Sequence, residues 1–206
     1  MTPELLLLII LAILVYSGLL QRVLDRMYLT DRQALILIAA MIVGTWIPDI
    51  ILGQVSVNIG GAVIPIAICA WVLYKTDTSR ERLRTILGSL VTGVCIYLLS
   101  RFFPAEAEMW LVDPMWLYGI IAGAIAWVIS RSRRAAFISG VLGTTLADVA
   151  AAFTVWLQGY DQPLRLGGAG IADAIVVAGV TGVLFCELAG EVAERLVRSM
   201  SGRNGA

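Results

Sequence analysis

Seven long apolar runs dominate this chain, and they constrain its fold more than any other feature of the sequence. A helix needs about 20 apolar residues to cross the hydrocarbon core of a bilayer, and each run is close to that length. Charged residues make up only 15% of the chain, whereas they make up about a quarter of a soluble domain. The sequence therefore predicts an all-α integral membrane protein with seven transmembrane helices, at residues 4–21, 33–52, 58–75, 84–103, 114–130, 135–157 and 168–190.

The basic residues predict the orientation of these helices. The chain has 15 lysines and arginines, and all but Arg101 and Arg165 lie at alternate connections between the runs. Such residues are retained on the cytoplasmic side of a membrane. We therefore expect a multi-pass protein of the cell (inner) membrane, with its amino terminus outside and its carboxyl terminus in the cytoplasm. The net charge is zero and the basic residues follow the topology rule, so nucleic acid is not an expected partner.

The composition also narrows the chemistry that is open to this chain. It contains no histidine, which removes histidine-based acid–base catalysis, a Ser-His-Asp triad and histidine-ligated metals. Its three cysteines, Cys69, Cys95 and Cys186, lie in separate apolar runs. That placement is typical of small buried apolar side chains rather than of disulfides or metal clusters. We therefore predict neither a cofactor nor a metal site.

Two sequence motifs each occur twice, in the same order. VGTWIPDI at 43–50 is followed by GGAVIPIAI at 60–68, and LGTTLADV at 142–149 is followed by GGAGIADAI at 167–175. This pattern predicts two parallel three-helix repeats, related by an axis along the membrane normal. The alternative is chance similarity between helices that are all rich in Gly, Ala and Ile.

The predicted organisation is a single membrane domain with a three-one-three arrangement of helices. A linker helix and an outer loop join the two repeats, and a cytoplasmic tail follows the second one. The corresponding ranges are 1–75 for the first repeat, 76–113 for the linker and outer loop, 114–195 for the second repeat and 196–206 for the tail.

Three aspartates, Asp49, Asp148 and Asp173, lie inside the apolar runs. Inserting a carboxylate into a membrane costs a few kcal/mol of free energy, and such groups usually face a bundle interior or a water-filled cavity. Each is therefore a candidate functional residue, and the helical rise places Asp148 and Asp173 at similar heights in the outer half of the membrane. The alternatives are an interfacial position for Asp49 or Asp148 and a helix-capping role for Asp173.

The paired glycines would lie at the start of the third and seventh predicted helices, at 58–75 and 168–190. Such a pair permits unusual backbone angles and leaves free N–H groups at the positive end of a helix, which suits a polar or anionic ligand. Asn58 could cap the third predicted helix or line the cavity beside the glycine pairs. Arg165 could pair with Asp173 or attract an anion. The alternative role for the glycines is tight helix packing alone. The predicted binding residues are Asp49, Asn58, Gly60, Gly61, Asp148, Arg165, Gly167, Gly168 and Asp173.

Three of these motifs resemble a known family. NIGGAVIP at 58–65, GTTLAD at 143–148 and LGGAGIAD at 166–173 are similar to a prokaryotic family known as domain-of-unknown-function family sixteen-fourteen. The resemblance covers most of the chain from the second run to the seventh. It implies a multi-spanning membrane protein and brings no established activity with it.

Three functions remain open at this point. The first is an ion- or proton-coupled transporter or channel for a small polar or ionic solute. The second is an intramembrane aspartyl hydrolase that acts on a membrane peptide, with Asp148 and Asp173 as catalytic residues that share a proton. The third is a non-catalytic assembly partner in the lipid bilayer. A homo-oligomer is compatible with all three.

Overall fold

The computed structural model of this chain describes residues 31–76, 78–102, 114–130 and 132–203. Within these ranges the protein is mostly helical. Its six α-helices are α1 (Asp31–Trp46), α2 (Ile64–Lys75), α3 (Ser79–Phe102), α4 (Pro114–Ser130), α5 (Arg133–Leu157) and α6 (Ala174–Arg203). The helix predicted at residues 4–21 and most of the predicted outer loop lie outside the described residues.

Two of the described helices, α3 and α5, are long and apolar enough to cross a membrane, as judged by length and composition. They contain 24 and 25 residues, which corresponds to about 36 Å of helix. The other apolar helical segments in the described ranges contain 10–17 residues. The remaining predicted spans, the repeats and the orientation therefore stay predictions.

Helix α5 is the centre of the described bundle and packs against α2, α3, α4 and α6. It runs antiparallel to α6, because Gly140 lies against the backbone of Ala178, while Ala136, one turn earlier, lies against Gly182. Small residues allow this close approach, because no large side chain separates the two helix backbones. The glycines of α5 and α6 therefore set the spacing of the bundle.

The prediction of an uninterrupted second helix over 33–52 is wrong. Helix α1 ends at Trp46, and Pro48 follows two residues later. Proline has no N–H to continue a helix and disfavours helical angles in the residue before it. The chain then forms strand β1 (Ile50–Leu52), turns at Gly53 with a positive φ of 64°, and returns as β2 (Val55–Val57).

These two strands belong to a small sheet that the sequence did not predict. Strand β2 is the central strand: it pairs antiparallel with β1 and parallel with β3 (Leu164–Leu166), with Val57 opposite Leu166. Each paired glycine motif begins within a few residues of one of the parallel strands, β2 or β3. The sheet therefore brings the two motifs side by side.

The helices that follow the sheet also start differently from the prediction. Gly60 and Gly61 lie in a π-helical turn (Ile59–Val63) that leads directly into α2. The second pair does not open a helix: Gly167 and Gly170 have positive φ values of 70° and 62°, which L-residues in a helix do not adopt. A 3₁₀ turn (Gly170–Ala172) follows, and α6 begins only at Ala174. It continues to Arg203, beyond the end of the predicted membrane span at residue 190.

Replacing Gly61 by alanine should destabilise the fold. A Cβ atom at this position would overlap the carbonyl oxygens of Gly167 and Gly170, which belong to the backbone and cannot rotate away. We expect a loss of about 1–3 kcal/mol, typical of an overpacked site. The thermal unfolding midpoint of the purified protein in detergent would measure it.

Gly168→Ala is the matched control, because the nearest atom to a Cβ at Gly168 is the Arg165 Cβ at 3.6 Å and Gly168 has no positive φ. It should leave the unfolding midpoint unchanged. Equal midpoints for Gly61→Ala and Gly168→Ala would contradict the close contact between the two glycine segments.

Candidate intramembrane acidic site

Three segments of backbone meet where the predicted helices are interrupted: the end of α1, the π-helical turn and the turn that follows β3. A Cβ at Gly60 would overlap Met41 and Thr45 of α1, and a Cβ at Gly167 would overlap Ala62 of the π-helical turn. Glycine is required at these places because no side chain fits between the segments. Three of the four predicted glycines, Gly60, Gly61 and Gly167, are thus packing positions, whereas Gly168 is exposed.

Asn58 organises the start of the π-helical turn. Its side-chain oxygen accepts a hydrogen bond from the Gly61 N–H at 2.9 Å, as a helix cap does. Its amide nitrogen donates to Asp49 Oδ1 at 2.9 Å, and its backbone N–H donates to the Leu166 carbonyl at 2.9 Å. One buried side chain therefore ties the loop after α1, the π-helical turn and β3 together.

Asp49 lies in the loop before β1 and is held by this network. Besides Asn58, the hydroxyl of Ser56 donates to its other carboxylate oxygen at 2.7 Å. These two hydrogen bonds, with a smaller contribution from the positive charge of Arg165, lower the pKa of Asp49 below its ordinary value of 3.8. Asp49 is thus an ionised structural anchor in the hairpin.

Asp173 stands immediately before α6 and caps it. One carboxylate oxygen accepts a hydrogen bond from the Ile175 N–H at 3.0 Å, and the other accepts one from the Ala169 N–H at 3.3 Å. Only 8% of the residue is exposed. The capping role that the sequence offered as an alternative is therefore present.

Asp148 lies on α5, two turns beyond Gly140 on the helix face that packs against α6. It is partly buried, and within the described ranges no hydrogen bond or ion pair reaches its carboxylate. The negative charge of Asp173 is close enough to act on it. The two carboxylates are thus within electrostatic range of each other. Asp173 is fixed by backbone N–H groups, and Asp148 has no partner among the described residues.

Arg165 lies on β3 opposite Ser56 and is exposed. Its charge acts on Asp49, and in the described part of the chain no ion pair joins it to Asp173. The predicted residues therefore form two groups. Asp49, Asn58 and Arg165 stabilise the sheet and its connection to α2, while Asp148 and Asp173 form an acidic pair between α5 and α6.

Sequence reasoning missed two residues that support this arrangement. The Ser56 hydroxyl donates the second side-chain hydrogen bond to Asp49. The alternation of this polar residue with the apolar Val55 and Val57 would have indicated a strand. Thr45 donates to the Met41 carbonyl at 2.8 Å and packs against both Gly60 and Gly170. The sequence did mark Thr45, because it belongs to the Gly-Thr pair that occurs in both copies of the first motif.

Stability should depend on the ionisation of Asp49. Because the folded state lowers its pKa, the carboxylate contributes stability above pH 3.8, and this contribution is lost as the pH falls below that value. Asp49→Asn should therefore have a lower unfolding midpoint than the wild type at pH 7, and the difference should shrink in acid. Ser56→Ala, which keeps the titrating group, should still show the acid loss. A difference that is constant from pH 7 to strong acid would contradict this assignment.

No curated protein and no solved structure matches the chain. The profile of one family, described as "Protein of unknown function (DUF1614)", matches residues 32–185. This range contains both glycine pairs, Asp49, Asp148 and Asp173, and it is well over half of the sequence. The protein belongs to the DUF1614 family, as the three motifs predicted.

Proposed function

We propose that this protein is a multi-pass protein of the cell membrane that moves a small polar or ionic solute, coupled to the binding and release of a proton at Asp148. The observation that carries the proposal is the position of Asp148. It is a carboxylate inside the helix bundle, without a partner in the described ranges, next to the capping carboxylate of Asp173.

The surface of α3 supports a lipid environment. Its exposed side chains include Leu90 and Val94, which are 55% and 50% exposed, whereas its buried side chains include Ser89 and Thr92. A helix of a soluble protein has the opposite arrangement, with apolar residues inside and polar residues in water. Apolar residues outside and small polar residues inside are what a helix surrounded by lipid needs.

The charges at one end of the bundle support the predicted orientation. Arg134 pairs with Glu81 at 3.7 Å, Arg133 pairs with Glu187, and Arg82 donates to the Thr76 carbonyl. These contacts join α2, α3, α5 and α6 where the predicted cytoplasmic connections meet, and the sheet lies at the other end. We call this the basic end of the bundle, and we assign it to the cytoplasm.

The acidic pair suits proton exchange because its two members differ. Two backbone N–H groups hydrogen-bond the carboxylate of Asp173, whereas Asp148 has no such partner among the described residues. Charges on both carboxylates at once would repel each other in a poorly solvated site, so the pair retains a proton, and we assign that proton to Asp148. Loss of that proton changes the charge of the site by one unit. A solute whose binding depends on this charge becomes coupled to the proton.

The interruption of the helices supports a solute site beside the acidic pair. Transporters bind their substrates where helices are broken, since backbone N–H and carbonyl groups become available there. The turn at residues 167–172 is such a break and ends at Asp173. The two parallel strands, each close to a glycine pair, agree with the proposed pair of three-helix repeats, although α2 and α6 start with different turns.

The hydrolase alternative has less support. An aspartyl dyad shares a proton between two carboxylates, but no hydrogen bond joins Asp148 to Asp173, and both oxygens of Asp173 accept backbone N–H groups. No specific observation favours an assembly role alone, because packing by small residues does not explain a carboxylate without a partner at position 148.

Carbodiimide labelling tests whether Asp148 holds a proton. Dicyclohexylcarbodiimide enters membranes and adds to protonated carboxyl groups, and mass spectrometry identifies the modified peptide. We expect labelling of the wild type and of Asp148→Glu, and loss of labelling in Asp148→Asn. Asp161→Asn is the control, because Asp161 is an exposed acid that bonds Gln54 in the loop region. Unchanged labelling in Asp148→Asn would contradict a proton at this site.

Proton movement in reconstituted vesicles tests the coupling. A panel of amino acids, sugars, organic acids and inorganic cations is added outside vesicles that contain a pH-sensitive dye. We expect at least one solute to drive proton movement in the wild type and in Asp161→Asn, and to drive none in Asp148→Asn. Proton movement that is equal in the wild type and Asp148→Asn would overturn the proposal, as would its absence for every solute in the panel.

A further inference from the structure

Two arginines stand at the start of the exposed apolar face of α3, and the acidic site does not use them. Arg80 and Arg84 are exposed and lie one turn apart on the same side of the helix. Apolar residues continue this side of the helix at intervals of three or four positions, and each is 43–51% exposed: Leu87, Val91, Val94 and Leu98. We call this row of arginines and apolar residues the α3 stripe. Its character changes from cationic to apolar within one turn.

The spacing along the α3 stripe fits the thickness of a bilayer. Leu87 and Leu98 are about 16 Å apart along the helix axis, and one half of a hydrocarbon core is about 15 Å thick. Arg101 lies on the same side near the other end of α3, about 31 Å from Arg80 along the axis. The arginines at the two ends are therefore as far apart as the two boundaries of a hydrocarbon core, with exposed apolar residues between them.

Helix α2 ends beside the start of the α3 stripe and adds a third cation. Arg82 donates from Nε to the Thr76 carbonyl at 2.9 Å and from Nη2 to the Tyr74 carbonyl at 3.1 Å, which ties the end of α2 to the start of α3. Lys75 lies between these two carbonyls and is exposed, and Tyr74 is 79% exposed. An exposed tyrosine beside cations is typical of the boundary between lipid tails and head groups.

The described acids leave a positive charge at this end of the α3 stripe. Glu81, which lies between the two arginines in sequence, is paired with Arg134 at 3.7 Å. Within the described ranges no ion pair includes Arg80, Arg84 or Lys75. Asp77 lies outside those ranges, and its single charge is outnumbered by the three cations. Exposed cations in excess attract an anion, and arginine binds phosphate oxygens through two parallel N–H groups.

We propose that the α3 stripe binds an anionic phospholipid of the cytoplasmic leaflet, with its phosphate at Arg80, Arg84 and Lys75 and one acyl chain along the apolar part of the stripe. This rests on the membrane position and the orientation in the proposed function, and not on proton exchange at Asp148. A free phosphate would use the cations and leave the adjoining apolar row uncovered. A phosphatidylcholine head group carries its own cation, so it complements the excess positive charge less well.

A photoreactive phospholipid tests where the lipid binds. Phosphatidylglycerol with a diazirine near the start of one acyl chain is added to phosphatidylcholine vesicles that contain the whole chain, and mass spectrometry identifies the residues labelled on irradiation. We expect labelling at Leu87 or Val91 that falls severalfold when ordinary phosphatidylglycerol replaces part of the phosphatidylcholine. Water-soluble glycerophosphate should leave this labelling unchanged.

Two results of this experiment would overturn the proposal. Suppression by glycerophosphate would show that the cations bind a free phosphate. Labelling that does not fall when ordinary phosphatidylglycerol is added would show a nonspecific contact with lipid.

Arginine variants test whether the charge of the α3 stripe holds the lipid. In Arg80→Gln/Arg84→Gln the concentration of photoreactive lipid at half-maximal labelling should rise about tenfold or more, because each basic residue near an anionic lipid changes binding about fivefold. Arg80→Lys/Arg84→Lys keeps the charge and should keep most of the labelling. These side chains are exposed and unpaired among the described residues, so the unfolding midpoint should not change.

The matched control is Arg101→Gln, which removes an exposed arginine from the same side of α3 at the opposite end. It should leave labelling at Leu87 and Val91 as in the wild type. Wild-type labelling in Arg80→Gln/Arg84→Gln would contradict the lipid site, and so would an equal loss in Arg101→Gln.

The two proposals fail separately. Asp148→Asn should keep the phosphatidylglycerol labelling of α3, and Arg80→Gln/Arg84→Gln should keep the carbodiimide labelling of Asp148. Lipid labelling that ignores the two arginines would contradict the lipid site alone. Carbodiimide labelling that ignores Asp148→Asn would contradict the proposed function alone.

Discussion

The described structure depends on direct contact between backbone segments that carry no side chains. Gly60 lies against the end of α1, and Gly61 lies against the turn that contains Gly167 and Gly170. Without a side chain at these positions, the backbone segments approach each other closely enough to pack directly. Here the close approach also fixes where α6 begins. Asp173 follows directly after this contact, and its place in the acidic site is a consequence of the glycine packing.

The sequence predicted the helical parts of the molecule well where the apolar runs are uninterrupted. The run at 114–130 coincides with α4, and the run at 135–157 differs from α5 by two residues at one end. It failed at residues 47–52 and 168–173, where a strand and tight turns replace the predicted helix, and it did not predict the strands at 55–57 and 164–166. Hydropathy averages over about 20 residues, so it does not detect a strand of three residues such as Ile50–Leu52, whose side chains are equally apolar in either conformation.

The sequence singled out Asp49, Asp148 and Asp173 because a carboxylate inside an apolar run can be detected from residue type alone. Their role as a functional site stays a prediction. The partners of Asp49 and Arg165 could not be derived in the same way. The register of β2 and β3 places Ser56 opposite Arg165. The Asn58 side chain, which follows β2, donates a hydrogen bond to Asp49, which precedes β1. The sequence contains no local signal for that register.

The parallel pairing of β2 with β3 has a consequence for biosynthesis. The bond between Gln54 and Asp161, beside these strands, joins residues 107 positions apart. Strand β2 leaves the ribosome long before its partner exists, so its free edge stays unpaired while α3, α4 and α5 are synthesised. Strand β3 follows α5 and precedes α6 in the chain. Pairing of β3 with β2 therefore joins two distant parts of the chain at the point where the last helix begins.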